Sequence, residues 1–204
     1  MPDDHLTYLK SDVPAGTSGE WTIETFEVRK QPGVDRRPEC FRSPPGRYTR
    51  LRQGGTVFMT DLYDEWYTQL DGIREARRRG GEILVTGLGL GVVAESILAG
   101  HDSKVELVTV VEYSADVIRL VAPHLREKLG PRLEIVQAGA YEWLPPAGSH
   151  YTVGWHDIWD NPLDPDCLAE MDALESRYSP FCDWQSSWPR SFQREAGHTP
   201  APPG

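Results

Sequence analysis

The chain has 204 residues and carries 21 Lys and Arg against 31 Asp and Glu, a formal charge of −10. That length supports one domain, or one domain with an appendage, and a core that needs neither disulfide nor metal. The acidity argues against generic binding to nucleic acid or to an anionic membrane, since both need clustered Lys and Arg.

The opening MPDDHLTYLK lacks the basic and then apolar regions of a signal peptide. The longest uncharged apolar stretch, 83–94, has 12 residues and is too short for a bilayer. Cys40, Cys167 and Cys182 form no C-x-x-C pair. A reduced, cytoplasmic chain is expected.

WTIETFEVR (21–29) is the first strand signal, with Trp21 and Ile23 on one face and Phe26 and Val28 on the other register, as a bulge would produce. RYTRLRQ, Gly54-Gly55 and TVFMTD (47–61) read as a hairpin. A helix follows over 62–79, capped by Thr60 or Asp61, with Leu62, Trp66, Leu70 and Ile73 on one stripe and Gly80-Gly81 ending it.

From Glu82 strands and helices alternate. EILVTG (82–87), VELVTVVE (105–112), LEIVQAG (133–139) and HYTVGWHDIW (150–159) read as buried strands. The helices are VVAESILA (92–99), 114–129 with Ser114 as N-cap, and 164–178. This implies an α/β, Rossmann-like, mostly parallel sheet with a small N-terminal β element and its ligand at the strands' carboxyl ends. The expected units are a β-rich extension with hairpin (1–61), the Rossmann-like domain (62–179) and a C-terminal tail (180–204). After the fourth strand only the 164–178 helix stands out. SPFCDWQSSWPRSFQREAG has no strand pattern, so the sheet is expected to be truncated there and the tail helical or irregular, with a disordered Pro-rich end at 198–204. Closure would come from the C-terminal segment or from a second copy of the chain, a homodimer.

Thr86-Gly87-Leu88-Gly89-Leu90-Gly91 lies directly between the first parallel strand and a helix, where the backbone turns sharply and must approach a ligand closely. Glu112 ends the next strand, 21 residues beyond Gly91, and can accept two hydrogen bonds from a ribose diol. A dinucleotide fits less well, because Ala94 replaces the third glycine and the helix opens with Val92 and Val93.

The loop, VTVVEYSADVI (108–118) and QAGAYEWL (137–144) together resemble class I S-adenosylmethionine-dependent methyltransferases over about residues 55–165. The resemblance implies that Gly87, Leu88, Gly89 and Gly91 line the methionine and ribose of S-adenosyl-L-methionine as donor substrate. Glu112 would bind its hydroxyls, Tyr113 would pack beside the adenine, and Ala138-Gly139-Ala140 would flank the adenine edge. Many members have an Asp in that last loop; without it, either a backbone carbonyl serves or donor affinity falls.

HDIWDNP (156–162) follows the fourth strand at the rim where this fold does its chemistry. The hairpin, then Asp64-Glu65-Trp66-Tyr67, then the glycine loop, then Asp157-Ile158-Trp159-Asp160-Asn161-Pro162 are similar in layout to spermidine synthases. By that likeness Asp157 would orient and deprotonate an amine and Asp160 would help hold a cation, with His156 as a second candidate base. Trp159, Tyr67 and Asp61 are the candidate acceptor contacts. Departures stand at Phe58, where the family has Gln, at Tyr67-Thr68, where it has Tyr-His, and at Leu90, where it has an acid. They put polyamine binding in doubt.

The expected function is therefore methyl transfer from S-adenosyl-L-methionine to a small or amine-bearing acceptor. The alternatives are aminopropyl transfer and a non-catalytic donor-binding or interaction protein. No metal site is expected, because the spacing of Asp157, Asp160, Asp164 and Asp166 matches no known loop and a solvated helix start explains the last two equally well. Residues 29–52 hold eight basic groups against two acids, and 150–183 hold eight acids against one Arg. The second imbalance favours a cationic or amine acceptor.

Overall fold

A computed structural model describes residues 6–29, 43–100, 103–160, 166–188 and 190. Lys30, Arg36, Arg37 and Arg42 of the basic arm, Cys40, Asp164, the Asn161-Pro162 pair and the 198–204 tail lie outside the described residues.

Two sheets form. The first is antiparallel and runs in chain order, β1 (Gly16–Ser18), β2 (Trp21–Val28), β3 (Gly46–Gln53) and β4 (Thr56–Thr60). β2 pairs with β3 in unbroken register from Trp21 opposite Gln53 to Val28 opposite Gly46, so the bulge expected in β2 is absent. The irregularity falls instead on the β3–β4 pair, between Leu51 and Arg52. Trp21 and Ile23 are buried while the far half of β2 is not, so its change of pattern marks the strand leaving the core.

The second sheet is wholly parallel. It comprises β5 (Gly81–Thr86), β6 (Val105–Glu112), β7 (Leu133–Gln137), β8 (Val153–His156) and β9 (Gln185–Ser187), in the order β7-β6-β5-β8-β9. Ile83 and Val85 of β5 enter one core and Leu84 the other, which is why the strand reads as a continuous apolar run. The order reverses between β5 and β8, and there the carboxyl ends of the strands open a crevice.

Expectation and structure part in two places. The helix expected over 62–79 is two, α1 (Tyr63–Thr68) and α2 (Leu70–Arg79). The Thr68 hydroxyl takes the Glu65 carbonyl at 2.6 Å, so the Gln69 N–H tightens onto the Trp66 carbonyl at 3.0 Å and the chain kinks. Neither Thr60 nor Asp61 caps it. Leu62 holds the N-cap position without a side-chain bond, and the Asp61 carboxylate is buried on the Ser11 and Thr49 N–H groups at 3.0 and 2.7 Å.

The sheet is also not truncated after its fourth strand. β9 adds a fifth, parallel to β8, through the segment expected to be helical or irregular. Its sequence, Gln185-Ser186-Ser187, has no apolar signal because hydrogen bonds hold it. The Ser187 hydroxyl donates to Glu175 at 2.7 Å, and the Gln185 amide donates to the Glu175 carbonyl at 2.6 Å.

The remaining helices are α3 (Val92–Leu98), α4 (Ala115–Leu129) and α5 (Cys167–Tyr178). Ser114 caps α4 by accepting from the Val117 N–H at 3.3 Å. Among the described residues no helix is long and apolar enough to cross a membrane.

Candidate active site

The crevice is a cavity of about 350 Å³ between the two sheets, within the roughly 300–1,000 Å³ of small-molecule pockets. Every loop that leaves a central parallel strand contributes. Gly87, Leu88 and Gly89 follow β5, Glu112 and Tyr113 end β6, Gly139 to Glu142 follow β7, and Asp157 to Asp160 follow β8. The hairpin adds Phe58 and Met59 from β4, and the kinked helix pair adds Glu65 and Gln69.

The side of the cavity expected to take the donor is built on Glu112. Its Oε2 accepts from the Leu88 N–H at 2.9 Å and its Oε1 from the Ser114 N–H at 2.8 Å. Burial pushes this carboxyl up, although three backbone donors pull the other way. Two carboxylate bonds thus fix the glycine loop and the start of α4 around one acceptor group. Gly87 has φ +99°, and a Cβ there would fall on the Asp157 carbonyl oxygen, so this glycine lets the loop after β5 touch the loop after β8. Met59 lies over Gly89 and meets the Leu90 N–H with its sulfur at 3.0 Å. Gly91 is outside the lining: a Cβ there would strike Leu125 of α4, so it serves packing. Ala138 is outside the lining too, its N–H held by the Glu112 carbonyl at 3.0 Å.

The opposite side, expected to take the acceptor, centres on Asp157 and Glu65. Gln69 Nε2 donates to Asp157 Oδ2 at 2.9 Å, and Gln69 Oε1 accepts from the Trp155 indole at 2.7 Å. Burial, and then the like charge of Glu65, push Asp157 up to about 7 against the Gln69 bond. Burial likewise pushes Glu65 up to about 7, against the Thr60 N–H at 2.8 Å and the Thr60 hydroxyl. Two acids poised near neutrality in one cavity are a common preparation for proton transfer. Asp160 is exposed at the rim, and the Trp159 indole donates to Glu170 at 2.8 Å.

Three residues expected at the acceptor stand elsewhere, besides Gly91 and Ala138. His156 is fully buried away from the cavity, stacked on Tyr178 with ring centroids 5.2 Å apart. The Gln185 amide nitrogen is spent on a carbonyl, so its oxygen faces His156 Nε2 at 3.1 Å and that nitrogen carries the proton; Nδ1 then accepts from Thr86 at 3.1 Å. Burial holds this imidazole down to about 4. It anchors β9 rather than meeting an acceptor. Tyr67 is 39% exposed outside the lining, and Asp61 is the buried N–H acceptor described above.

Glu65, Gln69, Met59, Tyr141, Glu142 and Trp188 line the cavity without having been singled out in the sequence. Gln69 did leave a signal: it is a polar side chain on the apolar stripe of Trp66, Leu70 and Ile73. Altogether the lining carries five carboxylates (Glu65, Glu112, Glu142, Asp157, Asp160) and, among the described residues, no Lys, Arg or His.

The two raised carboxyls set an unusual pH dependence. Their folded values lie above the ordinary 3.8 and 4.5, so the stability they contribute is fully present below about pH 4 and is lost as pH rises through about 7. His156, held down to about 4 from 6.5, contributes above 6.5 and loses its contribution as pH falls. The carboxyl effect is therefore cleanest above pH 6.5. The melting temperature is expected to fall from about pH 6.5 to about pH 8, and Glu65→Gln to flatten that slope. Circular dichroism melts across this range check it; a flat or rising curve in the parent protein would contradict the buried pair.

Solved structures share this architecture. A spermidine synthase in complex with the transition state analogue AdoDATO matches over 91% of this chain and 64% of its own, with a TM-score of 0.54 and 18% identity. The spermidine synthase of Thermotoga maritima matches 70% of this chain and 46% of its own (TM-score 0.44, 20% identity). The 23S rRNA methyltransferase ErmE matches 62% and 46% (TM-score 0.43, 23% identity). The chain thus spans about half to two-thirds of the length of these proteins. No protein-family model and no curated protein matches the sequence. The chain shares its fold with the first of these structures, a Rossmann-like parallel sheet with a small antiparallel sheet ahead of it.

Proposed function

We propose that the protein is an S-adenosylmethionine-dependent transferase that methylates an amine-bearing acceptor. The observation that carries this reading is the cavity's five carboxylates without a basic side chain among the described residues, set against a glycine loop and a ribose-competent Glu112. Aromatic walls from Trp21, Phe58, Tyr113, Tyr141, Trp159 and Trp188 suit a cation as well.

The donor supplies a carbon already activated by a sulfonium. Glu112 and the glycine loop hold its nucleoside end, and Asp157 orients the acceptor amine. As the nitrogen lone pair forms the new N–C bond and the C–S pair leaves with sulfur, Asp157 receives the amine proton. Glu65 raises the proton affinity of Asp157 and so keeps it near the working pH. Alignment of this kind lowers barriers by roughly 7–11 kcal/mol.

A second reading, aminopropyl transfer, is favoured by the same lining, since among the described residues no cation stands ready for a donor carboxylate. Mass spectrometry of the nucleoside formed from S-adenosylmethionine, or its decarboxylated form, with a panel of amines separates the readings. S-adenosylhomocysteine supports methyl transfer and methylthioadenosine supports aminopropyl transfer. Nucleoside binding without product leaves a non-catalytic binder. Glu112→Ala should weaken nucleoside affinity by at least about tenfold in calorimetry. Full affinity in that variant removes the donor site.

A further inference from the structure

We infer that Gln69 is a positioning residue: turned by Trp155, its amide holds the Asp157 carboxylate in place and supplies its hydrogen-bond donor. The inference deepens the role proposed for Asp157 and rests on that reading only for its consequence in turnover.

The chain of constraint begins in the packing. Trp155 of β8 is 1% exposed and lies against α2 at Gly72, where a Cβ would overlap the indole. The ring cannot turn, so its N–H direction is fixed. An indole N–H only donates, and it meets Gln69 Oε1 at 2.7 Å. The other end of a planar amide must then be NH₂, and it meets Asp157 Oδ2 at 2.9 Å. A reversed amide would set an oxygen against the carboxylate and leave the buried indole N–H facing a donor. Both penalties act in one direction, so Trp155 determines which atom Asp157 meets. The backbone cooperates, because Gln69 sits at the kink between α1 and α2 with φ −88° and ψ −5°.

Among the described residues no other side chain is seen to donate to Asp157. The titratable side chains lining it are Glu65 from α1, Glu112 and Tyr113 at the end of β6, Tyr141 and Glu142 after β7, and Asp160. None of them is a base, and the charge that opposes ionisation of Asp157 is that of Glu65. Glu65 has donors of its own in the N–H and hydroxyl of Thr60. Loss of the Gln69 amide therefore strikes Asp157 selectively, and an Asp157 that ionises later relieves Glu65.

Carbon-13 NMR of the whole chain, labelled at Asp and Glu carboxyls, follows both groups without needing activity. Gln69→Met keeps the side-chain length and removes the amide. It should raise the Asp157 midpoint by about one pH unit while the Glu65 midpoint stays or falls. Trp155→Phe should move Asp157 in the same direction by less, since the amide is then free to turn. In an active preparation the acid limb of the kcat/KM profile moves with Asp157, and nucleoside affinity does not. An Asp157 midpoint unchanged or lowered in Gln69→Met overturns the inference. An effect of Gln69→Met without one of Trp155→Phe removes Trp155 from it. Normal titration shifts in a protein without transferase activity would leave the inference standing and sink the proposed function instead.

Discussion

Asp157→Asn should lower turnover of an amine acceptor by about 10²–10⁴-fold, the usual contribution of a positioned base, while leaving nucleoside affinity unchanged. Asparagine has the same shape, and its oxygen can still accept from Gln69 Nε2, so the loop after β8 keeps its place. What it cannot do is take a proton. Glu112 and the glycine loop, which hold the donor side, make no hydrogen bond to the altered carboxyl. The same substitution removes a charge that the fold and Glu65 both oppose, so the protein should also become more stable above pH 7. A catalytic loss accompanied by a gain in stability is what separates a base from a structural carboxylate, whose loss would lower both. Single-turnover rates, calorimetry with S-adenosylhomocysteine and melting curves at about pH 8 test the three parts. A variant that keeps most of the parent turnover removes Asp157 from the chemistry.

On the proposed mechanism, the same carboxyl would set the pH profile of the parent protein. With Asp157 pushed up to about 7, the base form accumulates only as pH rises through that value. Turnover therefore climbs where the melting temperature falls. The two curves crossing in opposite senses reflect one cause, a charge held where the fold does not favour it.

The central fold was legible because its signals are local. β6 was bounded from its apolar run at the same residues that form it, Val105–Glu112, and Ser114 was read as the cap it is. The glycine loop and Glu112 were legible because strand, turn and helix fix their spacing. β9 was not, since a strand held by Gln185, Ser187 and Glu175 hydrogen bonds carries no period-2 apolar pattern. His156 was misplaced for the same reason: its partner, Gln185, lies 29 residues further on, in a strand the pattern hid. Glu65 and Gln69 needed the kink between α1 and α2, which turns on one Thr68 hydroxyl.

Charge was legible only in part. The acidic run at 150–183 suggested a cationic acceptor, yet among its described residues only Asp157 and Asp160 line the cavity. Glu175 and Asp172 hold Arg190, and Glu170 holds the Trp159 indole. The other three cavity acids, Glu65, Glu112 and Glu142, come from separate elements and are gathered by the topology. On the basic side, Arg50 and Arg52 are both spent on Glu24. A window of sequence therefore overstated how much of either charge is available to a ligand.

Gly87→Ala is expected to cost both stability and every function of the site. At φ +99° a side chain is strained by about 1–3 kcal/mol, before any contact is considered. Its Cβ would then meet the Asp157 carbonyl, a backbone group that cannot rotate away. The two loops are pinned where they meet, because the Gly87 N–H donates to the Val111 carbonyl at 2.9 Å and the Asp157 N–H to the Thr86 carbonyl at 2.9 Å. Relief must therefore move β5 against β6 or β8, and with it either the donor loop or Asp157. A melting temperature lower by roughly 5–15 °C follows from a penalty of a few kcal/mol in a chain of this size, with nucleoside binding and turnover lost together. Gly89→Ala is the control for the backbone clash alone: at φ +50° it carries left-handed strain too, but its Cβ meets the sulfur of Met59, the far part of a flexible side chain that can swing aside. If Gly89→Ala proved the more damaging in thermal melts, the junction of the donor and acceptor loops would not be where the site is held together.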